Sequence, residues 1–194
     1  HIHLYQPAYQ VLKQKTQPAS SIRAMKGMAG NWGPFREDAP VLWDWGAHDI
    51  AMAIDLMNEP PTGIRARRKK IKTAVSGIVG ESIHLNLDWP GDRIAEIFLS
   101  NVLPEKQRKF TVTTEQNIFI YDDFATNKLI NLEEGKTRRL ALSLDPTPPL
   151  TRVLAEFIKT IRLGVTDLSD LYLAVSVVET LERFDNEIRI AESY

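Results

Sequence analysis

The stretch Ile83-His84-Leu85-Asn86-Leu87-Asp88-Trp89-Pro90-Gly91 decides how the chain folds. Ile83, Leu85, Leu87 and Trp89 alternate with His84, Asn86 and Asp88. This period of two sets one side of a strand on a core and turns the other outward. Pro90-Gly91 then makes a turn. Further β-rich runs follow at Arg93 to Leu103, Lys109 to Glu115 and Asn117 to Tyr121. Lys128 to Leu132 and Arg138 to Leu144 read as a closing hairpin around Glu134-Gly135. Upstream, His1 to Tyr5, Ile22 to Ala29 and Gly63 to Lys72 are strand-like. Consecutive strands joined by short turns predict mostly antiparallel pairing.

Helical signals bracket this block. Pro7 suits the first turn of a helix reaching about Lys15. Pro148-Pro149 precedes an apolar stripe of Leu150, Leu154, Phe157 and Ile161 that stops at Gly164. Ser169 is placed to cap a last helix, whose stripe is Ala174, Val177, Val178, Leu181, Phe184 and Ile188. Both helices are expected on one face of the sheet. The predicted fold class is α+β: an open, mostly antiparallel β-sheet with helices packed on one face. The run Arg93 to Leu103 carries Ile94 and Phe98 on one side and Ile97 and Leu99 on the other. A strand with two apolar faces wants cover on both, and helices supply one layer, so a second copy of the sheet is the expected second cover.

Composition sets the outer limits. The chain has 194 residues, 43% of them hydrophobic, enough for one substantial core. With 24 basic and 25 acidic residues the net charge is −1, which gives no drive toward nucleic acid or an anionic membrane. Gly63 to Lys72 holds Arg65, Arg67, Arg68, Lys69, Lys70 and Lys72, but no aromatic interleaves them, so a solvated strand face is expected rather than a nucleic-acid patch. No apolar run reaches the roughly 20 residues of a membrane span. There are no cysteines, which excludes disulfides and thiol metal sites, and a cytoplasmic protein is expected. The four histidines lack close partners in sequence, so no metal site is expected.

The functional candidates cluster in Val41-Leu42-Trp43-Asp44-Trp45-Gly46-Ala47-His48-Asp49-Ile50, which opens a helix running to about Asn58. Asp44 and His48 are four residues apart and share a helix side with Asp55. Ala47, Ile50, Ile54 and Met57 share the opposite side. A carboxylate beside an imidazole suits proton transfer near neutral pH, and the same spacing also suits a helix cap and an ordinary satisfied histidine. Just before this helix, the loop Gly30-Asn31-Trp32-Gly33-Pro34-Phe35-Arg36 offers two aromatics and an arginine. They serve either as a substrate wall or as a plug at the core edge. No G-x-G-x-x-G turn appears, so no dinucleotide site is expected in this chain.

Leu42 to Ile50 resembles the Asp-x-Gly-x-His segment of the Gfo/Idh/MocA oxidoreductases, the glucose-fructose oxidoreductase and inositol dehydrogenase family. His3-Leu4-Tyr5-Gln6-Pro7-Ala8-Tyr9 is similar to the segment that leaves that family's nucleotide domain. Leu154 to Gly164 is similar to its penultimate helix, and Val175 to Arg183 to its last. The resemblance covers the family's C-terminal half alone. It implies that residues 1–16 are the end of a nucleotide-binding domain or a linker, and residues 17–194 a substrate-binding and oligomerisation domain, so that the chain is part of a longer protein.

The same resemblance implies an NAD(P)-dependent dehydrogenase acting on the CH–OH group of a sugar, polyol or related hydroxy compound. NAD or NADP would be bound mainly by a domain absent from this chain, and this part alone is expected to be inactive. His48 would exchange the hydroxyl proton, and Asp44 would orient His48 or hold a substrate hydroxyl. Trp32, Arg36 and Trp45 would contact substrate, and association would run through the sheet as a homodimer or higher homo-oligomer. The family's Glu-Lys-Pro segment has no counterpart: Pro104-Glu105-Lys106 has those letters in another order and place, and is assigned no part. Ala51 stands where the family often has an acidic residue, which keeps open a non-catalytic dimerisation or binding module of the same fold.

Overall fold

The computed structural model describes residues 1–36, 38–73, 77–133, 145–164 and 167–193. Its strands are β1 (Ile22–Trp32), β2 (Gly63–Lys72), β3 (Val79–Trp89), β4 (Arg93–Ser100), β5 (Val102–Thr114), β6 (Asn117–Asp122) and β7 (Leu129–Glu133). They form one sheet in the order β2-β3-β4-β1-β5-β6-β7. The alternation of Ile83 to Trp89 sets the inward register: Leu85 stands opposite Ile97 and Leu87 opposite Ala95 on β4, and all four are buried. Burying each of the two leucines and the isoleucine contributes roughly 1.5–3 kcal/mol.

The pairing departs from sequence expectation at one place. β4 and β5 follow each other directly, yet β1 lies between them, parallel to β4 and antiparallel to β5. The other ladders are antiparallel. Gly27 explains how a helix comes close at this central strand. A Cβ there would meet Asp49 Oδ1 and Ile97 at 3.3 Å and Phe110 at 3.4 Å, tighter than most such contacts.

Helix α2 (Ala47–Met57), entered through a π-helical turn at Leu42–Gly46, lies across the inward face. Ile50, Ala51, Met52, Ala53, Ile54, Leu56 and Met57 are buried, and Asn58 ends the helix in the left-handed conformation. Helix α4 (Ser169–Glu192) packs on α2 and β2 through Val177, Leu181, Phe184 and Ile188. Its first free N–H is satisfied by Asp167 Oδ1, which accepts from Ser169 N, so the capping side chain is Asp167 and not Ser169. Helix α1 (Pro7–Lys15) brings Ala8, Tyr9 and Leu12 into the same core, and the Tyr9 hydroxyl donates to Asp55 Oδ2 at 2.7 Å.

Helix α3 (Pro149–Leu163) corrects the expectation that both terminal helices lie on the sheet. None of its residues is buried, and it meets the rest of the chain mainly at the N-terminal turn Ile2–Tyr5. Gly164 ends it in the left-handed conformation, where sequence places its stop. The expected second arm of the closing hairpin, Arg138 to Leu144, lies outside the described residues.

Candidate active site

The site forms where α2 begins above β1 and β5. Gly46 lets the helix sit close, since a Cβ there would lie 3.1 Å from Leu99 and 3.4 Å from Leu42. The π turn then decides what Asp44 and His48 can do together. Its i→i+5 bonding widens the helix, so residues four apart are no longer stacked in line. The Asp44 carboxylate accepts from Arg36 Nη1 at 3.4 Å, and Arg36 is also bound to Asp38 at 2.8 Å. The expected Asp44–His48 bond is not made. The His48 Nδ1 is buried without a partner, and its ring meets His3 edge-on at 4.8 Å.

Beneath His48 lies a buried ion pair that sequence reading missed. Asp49, fully buried, accepts from Arg108 Nη1 at 2.7 Å. Arg108 occupies an inward position of β5, in line with Phe110 and Val112. Burial pushes the Asp49 carboxyl up to about 6, against the pull of Arg108. Burial, the Arg108 charge and the neighbouring ring push His48 down to about 4. Burial and then Arg108 do the same to His3, also to about 4. Both shifts favour the neutral ring, whose nitrogen lone pair can take a proton in passing but holds it weakly beside the Arg108 charge. A positive guanidinium in partly desolvated surroundings also favours ionisation of a hydroxyl brought beside it.

The remaining sequence candidates separate into two groups. Trp45 packs partly on the core and lines a cavity of about 160 Å³ with Gly30, Asn31, Arg108, Lys106 and Phe124 among its walls. Trp32 is half-exposed and stacks edge-on with Phe35, ring centres 5.8 Å apart, in the loop that carries Arg36. The structure thus gathers Trp45, His48, Arg108 and Asp49 at one place, and Arg36 with Asp44 on the neighbouring loop. The missed residues had a usable signal. Once Phe110 and Val112 are read as inward, Arg108 falls on the same side, and an inward arginine requires an acid.

No protein-family model matches the chain, and no curated protein does. Solved structures do. A candidate oxidoreductase from Magnetospirillum magnetotacticum MS-1 is 30% identical with a TM-score of 0.81, over 95% of this chain and 61% of that one. The UDP-N-acetylglucosamine 3-dehydrogenase GnnA of Acidithiobacillus ferrooxidans is 19% identical with a TM-score of 0.77, over 97% and 60%. Biliverdin reductase from Synechocystis sp. PCC 6803, solved with biliverdin and NADP+, is 13% identical with a TM-score of 0.78, over 97% and 61%. The chain spans about three-fifths of the length of these structures, and its fold is that of the α+β domain of oxidoreductases of the Gfo/Idh/MocA-like type.

Proposed function

We propose that this chain is the substrate-binding domain of an NAD(P)-dependent oxidoreductase acting on the CH–OH group of a sugar, polyol or related hydroxy compound. The observation that supports the reading is the buried Arg108–Asp49 pair next to His48 on α2, with Arg108 and Trp45 both lining one small cavity. Nothing in this sequence fits a dinucleotide pyrophosphate, because it has no glycine-rich strand-to-helix turn. The cofactor, NAD or NADP, belongs to a nucleotide-binding part outside this chain. The chain's own share is the proton: His48 accepts it from the substrate hydroxyl while Arg108 favours the oxygen that loses it. Arg36 on the adjoining loop, Asp44 in the π turn that it pairs with, and Trp32 at the end of β1 would meet substrate hydroxyls.

The test is turnover of NAD(P) by the full-length protein with a panel of sugars and polyols, against His48→Asn. Loss of a general base lowers kcat by about 10²–10⁴-fold. Full activity in His48→Asn would remove His48 from the reaction. Turnover by the 194-residue chain alone would overturn the division of labour.

A second reading, a non-catalytic binding module that dimerises, is favoured by one observation: Asp44 is bound to Arg36 rather than to His48. Both readings include self-association. The sheet face away from the helices presents Ile94, Phe98 and Met28 in its middle and Ile118, Ile120, Ile130 and Leu132 toward β7. A second copy of the sheet would cover it. A monomer of 22.0 kDa by light scattering at micromolar concentration would count against association.

A further inference from the structure

The cavity beside Arg108 has a charge and a shape that the proton-transfer reading does not use. Lys106 and Arg108, two apart on β5, both line it. Arg108 gives Nη1 to Asp49 and is fixed by it, and Arg108 is among the residues that line the cavity. Lys106 Nζ sits 5.1 Å above the Phe124 ring, and no carboxylate lies within ion-pair distance of it among the described residues. Asp123, the acid next to Phe124, is already paired with Lys128 at 3.3 Å. Asn31 adds an amide, and Trp45 and Phe124 add flat apolar walls. At about 160 Å³ the space is below the roughly 300–1,000 Å³ of a whole ligand site, so it suits one group of a larger molecule.

We propose that this cavity is an anion subsite: Lys106 and Arg108 bind the carboxylate or phosphate of an acidic hydroxy compound, such as a sugar acid or sugar phosphate, whose ring lies against Trp45. The inference rests on the oxidoreductase reading and narrows its substrate class to anionic members. Two cations line this half-enclosed space and the one carboxylate paired with them, Asp49, is bound to Arg108, which leaves a positive charge that an acidic group neutralises with charge-assisted hydrogen bonds. Trp45 stands one helical turn before His48, so an anion held at Lys106 would leave the far side of its ring toward the imidazole.

The experiment is an NMR titration of the 194-residue protein, following the Trp45 indole N–H with glucuronate, glucose 6-phosphate and glucose. At least one acid is expected to bind about tenfold tighter than glucose, the ratio one charge-assisted hydrogen bond supplies. Lys106→Gln is expected to abolish that preference, whereas Lys109→Gln, on the opposite face and paired with Asp122, keeps it. Phosphate but not carboxylate selection, or the reverse, identifies which acid the site takes. Equal affinity for glucose and both acids, an unchanged preference in Lys106→Gln, or no shift of Trp45 with any probe would each overturn the proposal. None of these bears on whether the full-length protein oxidises neutral polyols, which is read separately from NAD(P) turnover.

Discussion

Helices α2 and α3 both carry apolar stripes, α3 the sharper one, and meet opposite fates. In α2, Ile50, Ile54 and Met57 are buried, and so are Ala51, Met52, Ala53 and Leu56 around them. In α3, Leu154 is 52% exposed and Phe157 62%, and no residue is buried. A stripe states which face of a helix seeks cover. What supplies the cover is fixed by where the helix enters the fold. Helix α2 leaves the central strand β1 and the chain returns to the edge strand β2, so the helix is drawn across the half of the sheet face between them. Helix α3 comes after the last described strand and rests mainly on the N-terminal turn. Its stripe is an uncovered apolar patch of the kind that marks a contact surface.

That contrast can be broken or sharpened by substitution. The largest effect is expected from Arg108→Ala. It strands the Asp49 carboxylate under α2, and losing one partner of a buried pair costs about 3–5 kcal/mol. Urea unfolding measures it, and a cost below about 1 kcal/mol would show that water or another donor reaches Asp49. Ile50→Ala should follow, at about 2–5 kcal/mol in the same assay.

Acid should loosen the α2 side next. His3 and His48 have folded values lowered to about 4 from 6.5, so the unfolded chain binds more protons between those limits. Their contribution to stability is complete above about pH 6.5 and is lost as pH falls toward 4. Asp49, raised to about 6, works in the opposite sense, since its folded form favours the proton. The two histidines together outweigh it, so thermal unfolding of wild type should move to lower temperature between pH 6.5 and 4. His48→Gln should flatten that slope. The smallest effect belongs to Phe157→Ala on α3, expected within about 0.5 kcal/mol because the ring is already in solvent. A loss as large as that of Ile50→Ala would mean that α3 is covered in solution, and the comparison would fail.

The fold was legible wherever one segment decides its own structure. The alternation at Ile83 to Trp89, the bounds of β2 at Gly63 and Lys72, and the stop at Gly164 are local facts of side-chain period and backbone conformation. The insertion of β1 between β4 and β5 was not legible, because it depends on pairing Ala24 with Ile94, far away in sequence. The site divides the same way. His48 and Trp45 announce themselves in one short helix. Arg108 hides in Lys106-Gln107-Arg108-Lys109, which reads as a solvated basic run until its register beside Phe110 is known. Asp49 reads as one more polar helix residue until Gly27 is seen to admit it to the sheet. The pairing of Asp44 with Arg36 depends on a π turn, and nothing in residue spacing distinguishes that from an α turn.

The basic run of β2 has a consequence of its own. β2 is the outermost strand beside β3, and one row of its backbone donors and acceptors faces no neighbouring strand. Such a row is a template onto which an extended chain can zip, and copies joined edge to edge in this way form open-ended fibres. Arg65 is paired with Asp88 and Arg68 with Glu192, but Arg67, Lys69, Lys70 and Lys72 still make that border repel its own image: two copies brought side by side along β2 would align like charges at strand spacing. The positive strand is thus a fence that leaves face-to-face assembly open while closing the route to aggregation.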